Sequence, residues 1–148
     1  MKTIKLIIAT PERVTLEAMV DQVTIPTTTG EITILPGHVP LVGIIKPGEL
    51  MTKTNGIENS LAVAGGFFEI NDNEVKVLAD SAEHATELDL AIVEAAQARA
   101  EADLAEARNK EDVDYTALAA NLERELARGK VARKHHTKHN VHIDSAGK

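Results

Sequence analysis

A β-sandwich followed by an antiparallel pair of helices is the fold this chain predicts, and three observations carry that prediction. Apolar residues alternate with polar ones along the first 84 positions, as in Ile4-Leu6-Ile8, Val14-Leu16, Val23-Ile25, Ile32-Ile34 and Val75-Val77. Turn signals punctuate these runs at Thr10-Pro11, Thr29-Gly30, Pro36-Gly37, Pro47-Gly48, Asn55-Gly56 and Asn71-Asp72-Asn73. After Glu87 the period changes, and Leu88 to Arg108 is rich in Ala, Glu and Arg with no Gly or Pro. The expected division is a sandwich over 1–84, a helical hairpin over 85–134, and a flexible basic, His-rich tail over 135–148.

Each element has a local cause. Short strands at this spacing suit a sandwich or barrel, where every second side chain enters the core. Asn55-Gly56 predicts a tight hairpin turn, because both central residues of a type I′ turn need positive φ. Gly65-Gly66 before Phe67-Phe68 lacks the Lys-Ser/Thr of a phosphate loop and predicts a bulge or close strand crossing. The first helix sets Ile92, Ala95, Ala96, Arg99, Ala102 and Ala105 near one face, an alanine stripe that a second helix can approach closely. Asp112 or Asp114 can cap the second helix, whose Leu118, Leu122 and Leu126 form a narrow ridge. Gly129 inside that helix costs about 1 kcal/mol relative to Ala. Such a hairpin buries little area and docks marginally.

Composition excludes several functions. Only Phe67, Phe68 and Tyr115 are aromatic, so the core is aliphatic and base-stacking nucleic-acid modules are disfavoured. The absence of cysteine removes disulfides, thiolate metal sites and thiol nucleophiles. No Gly-x-Ser-x-Gly elbow occurs. The apolar run after Met1 breaks at Pro11, too short for a signal h-region or a membrane span, so the expectation is a cytosolic chain that reaches a membrane only through a partner. His135, His136 and His139 could share a metal on helical spacing, but a third ordered ligand is lacking, and no metal site is expected.

Charge is unevenly placed. From Arg124 onward seven Lys and Arg oppose Glu125 and Asp144, a balance of +5 that leaves −12 of the total −7 to the rest of the chain. An acidic body with a basic end fits an acidic partner, whether nucleic acid, anionic lipid or an acidic protein surface, and equally a solvated terminus.

The phrase Gly30-Glu31-Ile32-Thr33-Ile34-Leu35-Pro36-Gly37-His38-Val39-Pro40-Leu41, followed by Gly65-Gly66-Phe67 and Val77-Leu78-Ala79-Asp80, resembles the epsilon subunit of bacterial F-type ATP synthase. The likeness runs from Met1 to about Arg133. It implies a ten-stranded sandwich and a non-catalytic rotor-stalk role on the cytoplasmic face of the membrane, in a proton-translocating complex. It also implies that Glu31, Gly37 and His38 contact the gamma subunit and the c-ring from an exposed loop. The hairpin can then extend along gamma and block ATP hydrolysis, with Arg124, Arg128, Lys130, Arg133 and Lys134 facing an acidic segment of a beta subunit.

Some members of that family bind ATP on the folded hairpin through Ile/Leu-Asp-x-x-Arg-Ala, a preceding Glu and two arginines of the second helix. Glu83, Leu88-Asp89, Arg124 and Arg128 match by position, whereas Ile92 and Val93 stand where Arg-Ala is expected. An isoleucine supplies neither the charge nor the planar donor fork, so ATP binding is expected to be weak or absent, and no cofactor is expected. The alternative is a free-standing sandwich whose basic tail engages nucleic acid or anionic lipid.

Overall fold

The computed structural model describes residues 2–145. Eight strands precede the helices: β1 (Ile4–Ala9), β2 (Val14–Val20), β3 (Gln22–Thr27), β4 (Gly30–Ile34), β5 (Leu41–Ile45), β6 (Gly48–Thr54), β7 (Ile57–Asn71) and β8 (Glu74–His84). A 3-10 turn (Ala85–Glu87) leads into α1 (Leu90–Ala107), and α2 spans Tyr115–Ser145.

The strands form one continuous sheet folded over itself, in the order β2-β1-β8-β7-β5-β3-β4, with β6 bridging β3 and β7. The count is eight rather than ten because β7 and β8 are single long strands that serve both halves. Ile57 to Val63 of β7 pairs with β6, and Gly66 to Ile70 pairs with β5. β8 follows β7 along its whole length and also takes β1 as a parallel neighbour.

Alternation decides which side is core. Ile4, Leu6 and Ile8 of β1 are fully buried and meet Val23, Ile25, Ile34, Leu50, Leu61, Phe68, Ile70, Val75 and Val77 in one aliphatic cluster. Phe68 is the single ring in it, and its room comes from Gly43 opposite, where a Cβ would lie 2.5 Å from the ring. Pro26 sits where β3 changes neighbour, between Thr24 paired to β6 and Thr27 paired to β5. A residue without an N–H is tolerated at such a gap in the ladder.

Two glycines set the shape of β7. Gly65 and Gly66 have φ of 44° and 134°, and the pairing with β8 skips from Ala64↔Ser81 to Gly66↔Ala79. The expected close crossing is therefore present: a Cβ on Gly66 would lie 2.1 Å from the Leu78 carbonyl oxygen. The Asn55-Gly56 turn also matches its reading, with φ of 52° and 80°.

The helices begin where capping residues stand. Asp89 accepts from the Ile92 N–H at 3.1 Å, and Asp114 accepts from the Ala117 N–H at 3.0 Å. Three expectations fail here. The buried positions of α1 are Val93, Ala100 and Ala107, a seven-residue repeat, while Ile92 is 65% exposed. Alanine occupies nearly every side of α1, so its apolar period is degenerate and contact with α2 selects the seam. On α2 the ridge is displaced likewise: Leu126 is exposed, and Ala127, Val131 and Ala132 are buried. Nor is the segment after Lys134 a tail, because α2 continues through Ser145. No Gly or Pro falls between Lys134 and Ser145, and His135 stacks on His139 one turn later, with ring centroids 6.5 Å apart. Residues 146–148 lie outside the described residues.

The bend in β7 yields a prediction. Gly66→Ala must strain φ and displace a backbone carbonyl, so a loss of about 2–4 kcal/mol is expected in urea unfolding. Gly56→Ala, at positive φ but facing open space, should cost only about 1–2 kcal/mol. Equal losses from the two substitutions would show that the close β7–β8 approach is not a constraint.

Candidate functional site

Two surfaces stand out, one on the sandwich and one where α2 lies against it. On the sandwich, Ile44, Phe67, Leu78, Ala9 and Val14 occupy successive partner positions across β5, β7, β8, β1 and β2. Ile44, Phe67, Leu78 and Val14 are 61%, 50%, 46% and 60% exposed. Val42, two residues from Ile44 on the same face of β5, extends this apolar row and is 69% exposed; Leu35, Val39 and Leu41, in the segment before β5 and at its first residue, are exposed as well. A contiguous apolar band of this kind is the mark of a docking face. The sequence carried one sign of it: adjacent strand residues point to opposite faces, so one of Phe67 and Phe68 had to face outward.

The three residues expected at a partner-contact loop are separated. Glu31 is not on a loop but is the second residue of β4, and it lines a cleft of about 550 Å³ with Pro26, Lys46, Leu126 and Lys130. Gly37 and His38 lie in the turn beyond the other end of β4. Gly37 has φ of 84°, and its N–H donates to Asn73 Oδ1 at 3.0 Å. Asn73 in turn donates to the Thr3 carbonyl at 2.8 Å, which fixes the turn to the β7–β8 corner. His38 is half-buried, with Nδ1 2.7 Å from the Val39 carbonyl oxygen. The turn is thus a rigid foot beside exposed Leu35, Val39 and Leu41.

At the second surface, α2 crosses β6, β7 and the 3-10 turn, and its apolar contact is slight. Ala62, Ala85 and Val131, with Leu88 beside them, make up the cluster there. Charge does the rest. Lys134 Nζ donates to Glu49 Oε1 at 2.8 Å, and Ser60 Oγ donates to the same oxygen at 2.7 Å. The Glu49 side chain is only 5% exposed. Arg128 Nη2 donates to Glu83 at 3.2 Å and Nη1 to Glu125 at 2.8 Å, while Nε lies 2.9 Å from Glu83 without aiming its N–H there. Lys138 pairs with Glu58 at 3.4 Å near the end of the contact.

Two groups here depart from their ordinary pKa. Burial alone pushes Glu49 up, but the hydrogen bonds from Lys134 and Ser60 and the charges of Lys134 and Lys130 outweigh it and hold the carboxyl below 4.5. Burial likewise opposes the charge on Arg128, and Glu125 and Glu83 more than compensate, raising its pKa further.

Of the five expected basic residues, Arg124, Arg128 and Lys134 are therefore engaged by carboxylates in this arrangement, Arg124 only through its neighbour Glu125 on the same helix. Arg124 donates to Asn121 and Glu125, Arg133 donates weakly to Gln97, and Lys130 borders the cleft under α2. The positions matching a nucleotide motif are similarly occupied. Arg128 bridges Glu83 and Glu125, Asp89 is a helix cap rather than an unpaired carboxylate, and Ile92 is exposed. Sequence reasoning missed Glu49, Ser60, Glu58 and Glu125. Glu125 had a weak signal in its i,i+3 spacing to Arg128, but Glu49 meets its cation 85 residues away. Among the described residues no cluster of three or more His, Cys, Asp or Glu could hold a metal ion.

An aliphatic sandwich with an apolar docking band and a charge-held helical hairpin has the make-up of a binding subunit. Comparison with known proteins gives the family. Residues 3–85 match the family model "ATP synthase, Delta/Epsilon chain, beta-sandwich domain", and the chain belongs to that family. The ATP synthase epsilon chain of Nitratidesulfovibrio vulgaris is 42% identical over 130 residues, 88% of this chain and 96% of that one. The epsilon chain of Chloroflexus aggregans is 45% identical over 135 residues, covering 91% and 96%. Among solved structures, a chain of the Euglena gracilis mitochondrial ATP synthase (OSCP/F1/c-ring) superposes with a TM-score of 0.70 at 25% identity, covering 82% of this chain and 76% of that one.

The pKa of Glu49 generates a prediction. A carboxyl held below 4.5 contributes to helix docking above that value and loses the contribution as pH falls through its lowered pKa. Arg128 stays charged throughout and adds no such dependence. NMR shifts of Ser60 and Val131, followed from pH 6 downward, should move together with a midpoint below 4.5. In Glu49→Gln that shared step should vanish; its persistence would assign the acid response elsewhere.

Proposed function

We propose that this chain is a non-catalytic rotor-stalk subunit of a proton-translocating F-type ATP synthase. Its sandwich binds the gamma subunit and the c-ring, and its helical hairpin restrains ATP hydrolysis. The observation that carries the reading is the exposed apolar row from Val14 through Leu78 and Phe67 to Ile44, with Val42 on the same face of β5. A rotor part must grip its neighbour without chemistry, and a stiff sheet with an apolar face does that. Glu31, beside the α2 cleft, and the Gly37-His38 turn offer further contacts from the two ends of β4. No helix among the described residues is long and apolar enough to cross a membrane, so attachment to the cytoplasmic face is assigned to the complex.

The hairpin is the movable part. Arg124, Arg128, Lys130, Arg133 and Lys134 supply the charge that meets an acidic beta-subunit surface once α2 leaves the sandwich. Single exposed pairs are worth only about 0–1 kcal/mol, so this contact is collective and weakens with salt.

Copurification tests the reading. The chain is expected to come down with gamma and the c-ring from solubilised membranes. Truncation after Glu87 should leave that assembly intact and raise ATP hydrolysis. Loss of the complex, or hydrolysis equal with and without the hairpin, would contradict the corresponding half of the proposal.

The occupied arginines also bear on ATP. A nucleotide would have to displace Glu83 or Glu125 from Arg128 without help from an arginine at position 92. Calorimetry of the isolated chain should show binding that is absent or roughly tenfold to hundredfold weaker than in relatives bearing that arginine. Tight saturable binding would overturn this, and a gain of binding in Ile92→Arg would support it.

A further inference from the structure

We propose that Glu49, Glu58 and Glu83 form an acidic clasp on the sandwich, holding the hairpin down by occupying cations that its extended form offers to an acidic partner. The three carboxylates come from β6, β7 and β8 respectively, so they form a strip across adjacent strands under α2. Their partners Lys134, Lys138 and Arg128 lie along the α2 side that faces the sheet. Two of these cations, Arg128 and Lys134, belong to the inhibitory set, and the inference rests on that reading of the hairpin.

Several features favour a clasp over incidental surface pairing. Glu49 is almost fully buried, carries a second donor in Ser60, and has Met51 Sδ 3.2 Å from its cation. A buried carboxylate with a fixed donor set is a built receptor for one ammonium group. The apolar contact beneath α2 is too small to dominate, since its buried members are two alanines and one valine. Glu125, itself buried, steadies Arg128 from within α2 and keeps the guanidinium aimed at Glu83.

The consequence is competition. An acidic partner surface and the sandwich strip bind the same cations, so they cannot hold them together. The docked population is then set by how well an external acidic surface replaces three internal carboxylates, and by salt. Nucleotide need not enter, which fits the replacement of the expected arginine by Ile92.

The chain has no cysteine, so Asn59→Cys and Thr137→Cys place two unique spin labels, one on β7 and one on α2. The full chain should show one short label distance at low salt. Raising NaCl to about 1 M should populate long distances, because it screens the partly exposed Glu58 and Glu83 pairs, though the buried Glu49 pair much less. Glu58→Gln with Glu83→Gln should do the same at low salt, and adding Glu49→Gln should raise the long-distance population by roughly tenfold or more. The swap of Glu58→Lys with Lys138→Glu should keep the short distance. A short distance that persists in high salt and in the Glu58/Glu83 variant would overturn the clasp. That variant changes only partly exposed side chains, and the salt series needs no change to the acids, so a misfolded Glu49 variant leaves the test intact. Hydrolysis by the purified complex is a separate readout: release of the hairpin without a change in hydrolysis refutes the inhibitory reading and leaves the clasp standing.

Discussion

The contact between sandwich and hairpin is lined with alanine, and most of the molecule's behaviour depends on that. Ala62 and Ala85 on one side meet Val131 on the other, while Gly129 brings α2 close to Gln97 of α1. Burying a few methyl groups yields only about 0.8 kcal/mol for each carbon removed from water. Such a surface cannot hold a 31-residue helix against its own conformational freedom. The charge pairs from Arg128 to Lys138 therefore decide whether α2 stays down. A larger apolar patch would have given a more stable subunit with an immobile hairpin.

The sandwich has the opposite character. Its core is continuous, aliphatic and closed by pairing, with Ile4, Leu6, Ile8, Leu50 and Leu61 fully buried. One strand joins the two surfaces. β7 carries Glu58, Ser60 and Ala62 under α2, turns at Gly65-Gly66, and then presents Phe67 in the outer apolar row. β8 repeats the arrangement with Glu83 and Leu78. The hairpin contact and the docking row are thus two ends of the same pair of strands, on a scaffold that does not itself need to move.

Much of this was legible in the sequence because local rules govern it. Alternation located β1, β3 and β8, positive-φ residues marked the Asn55-Gly56 turn, and Asp114 capped α2 where a cap was expected. What escaped had non-local causes. The strand count differs because β7 and β8 run on through both halves, and the period of alternation does not reveal where a strand changes partner. The face of α1 was ambiguous because alanine surrounds the helix. Residues 135–148 read as a tail because the segment is polar, yet α2 runs on through Ser145 and Lys138 finds Glu58 in the fold. Glu49 was invisible because nothing near it in sequence shows that a lysine arrives from the far end of the chain. Glu31 and His38 share one motif but stand at opposite ends of β4, since a five-residue strand separates what the motif joins.

The central claim is that a stable sandwich carries a separately opening hairpin held by charge. Native-state amide hydrogen exchange on the full chain tests it most directly, comparing Val131 in α2 with Val63 in β7 at low and high salt. Isolated helices of this composition are marginal in water, so an undocked α2 exchanges its amides. The account predicts that Val131 opens with a much smaller free energy than Val63, and that salt lowers protection at Val131 alone. Identical opening free energies at both amides, unmoved by salt, would contradict it.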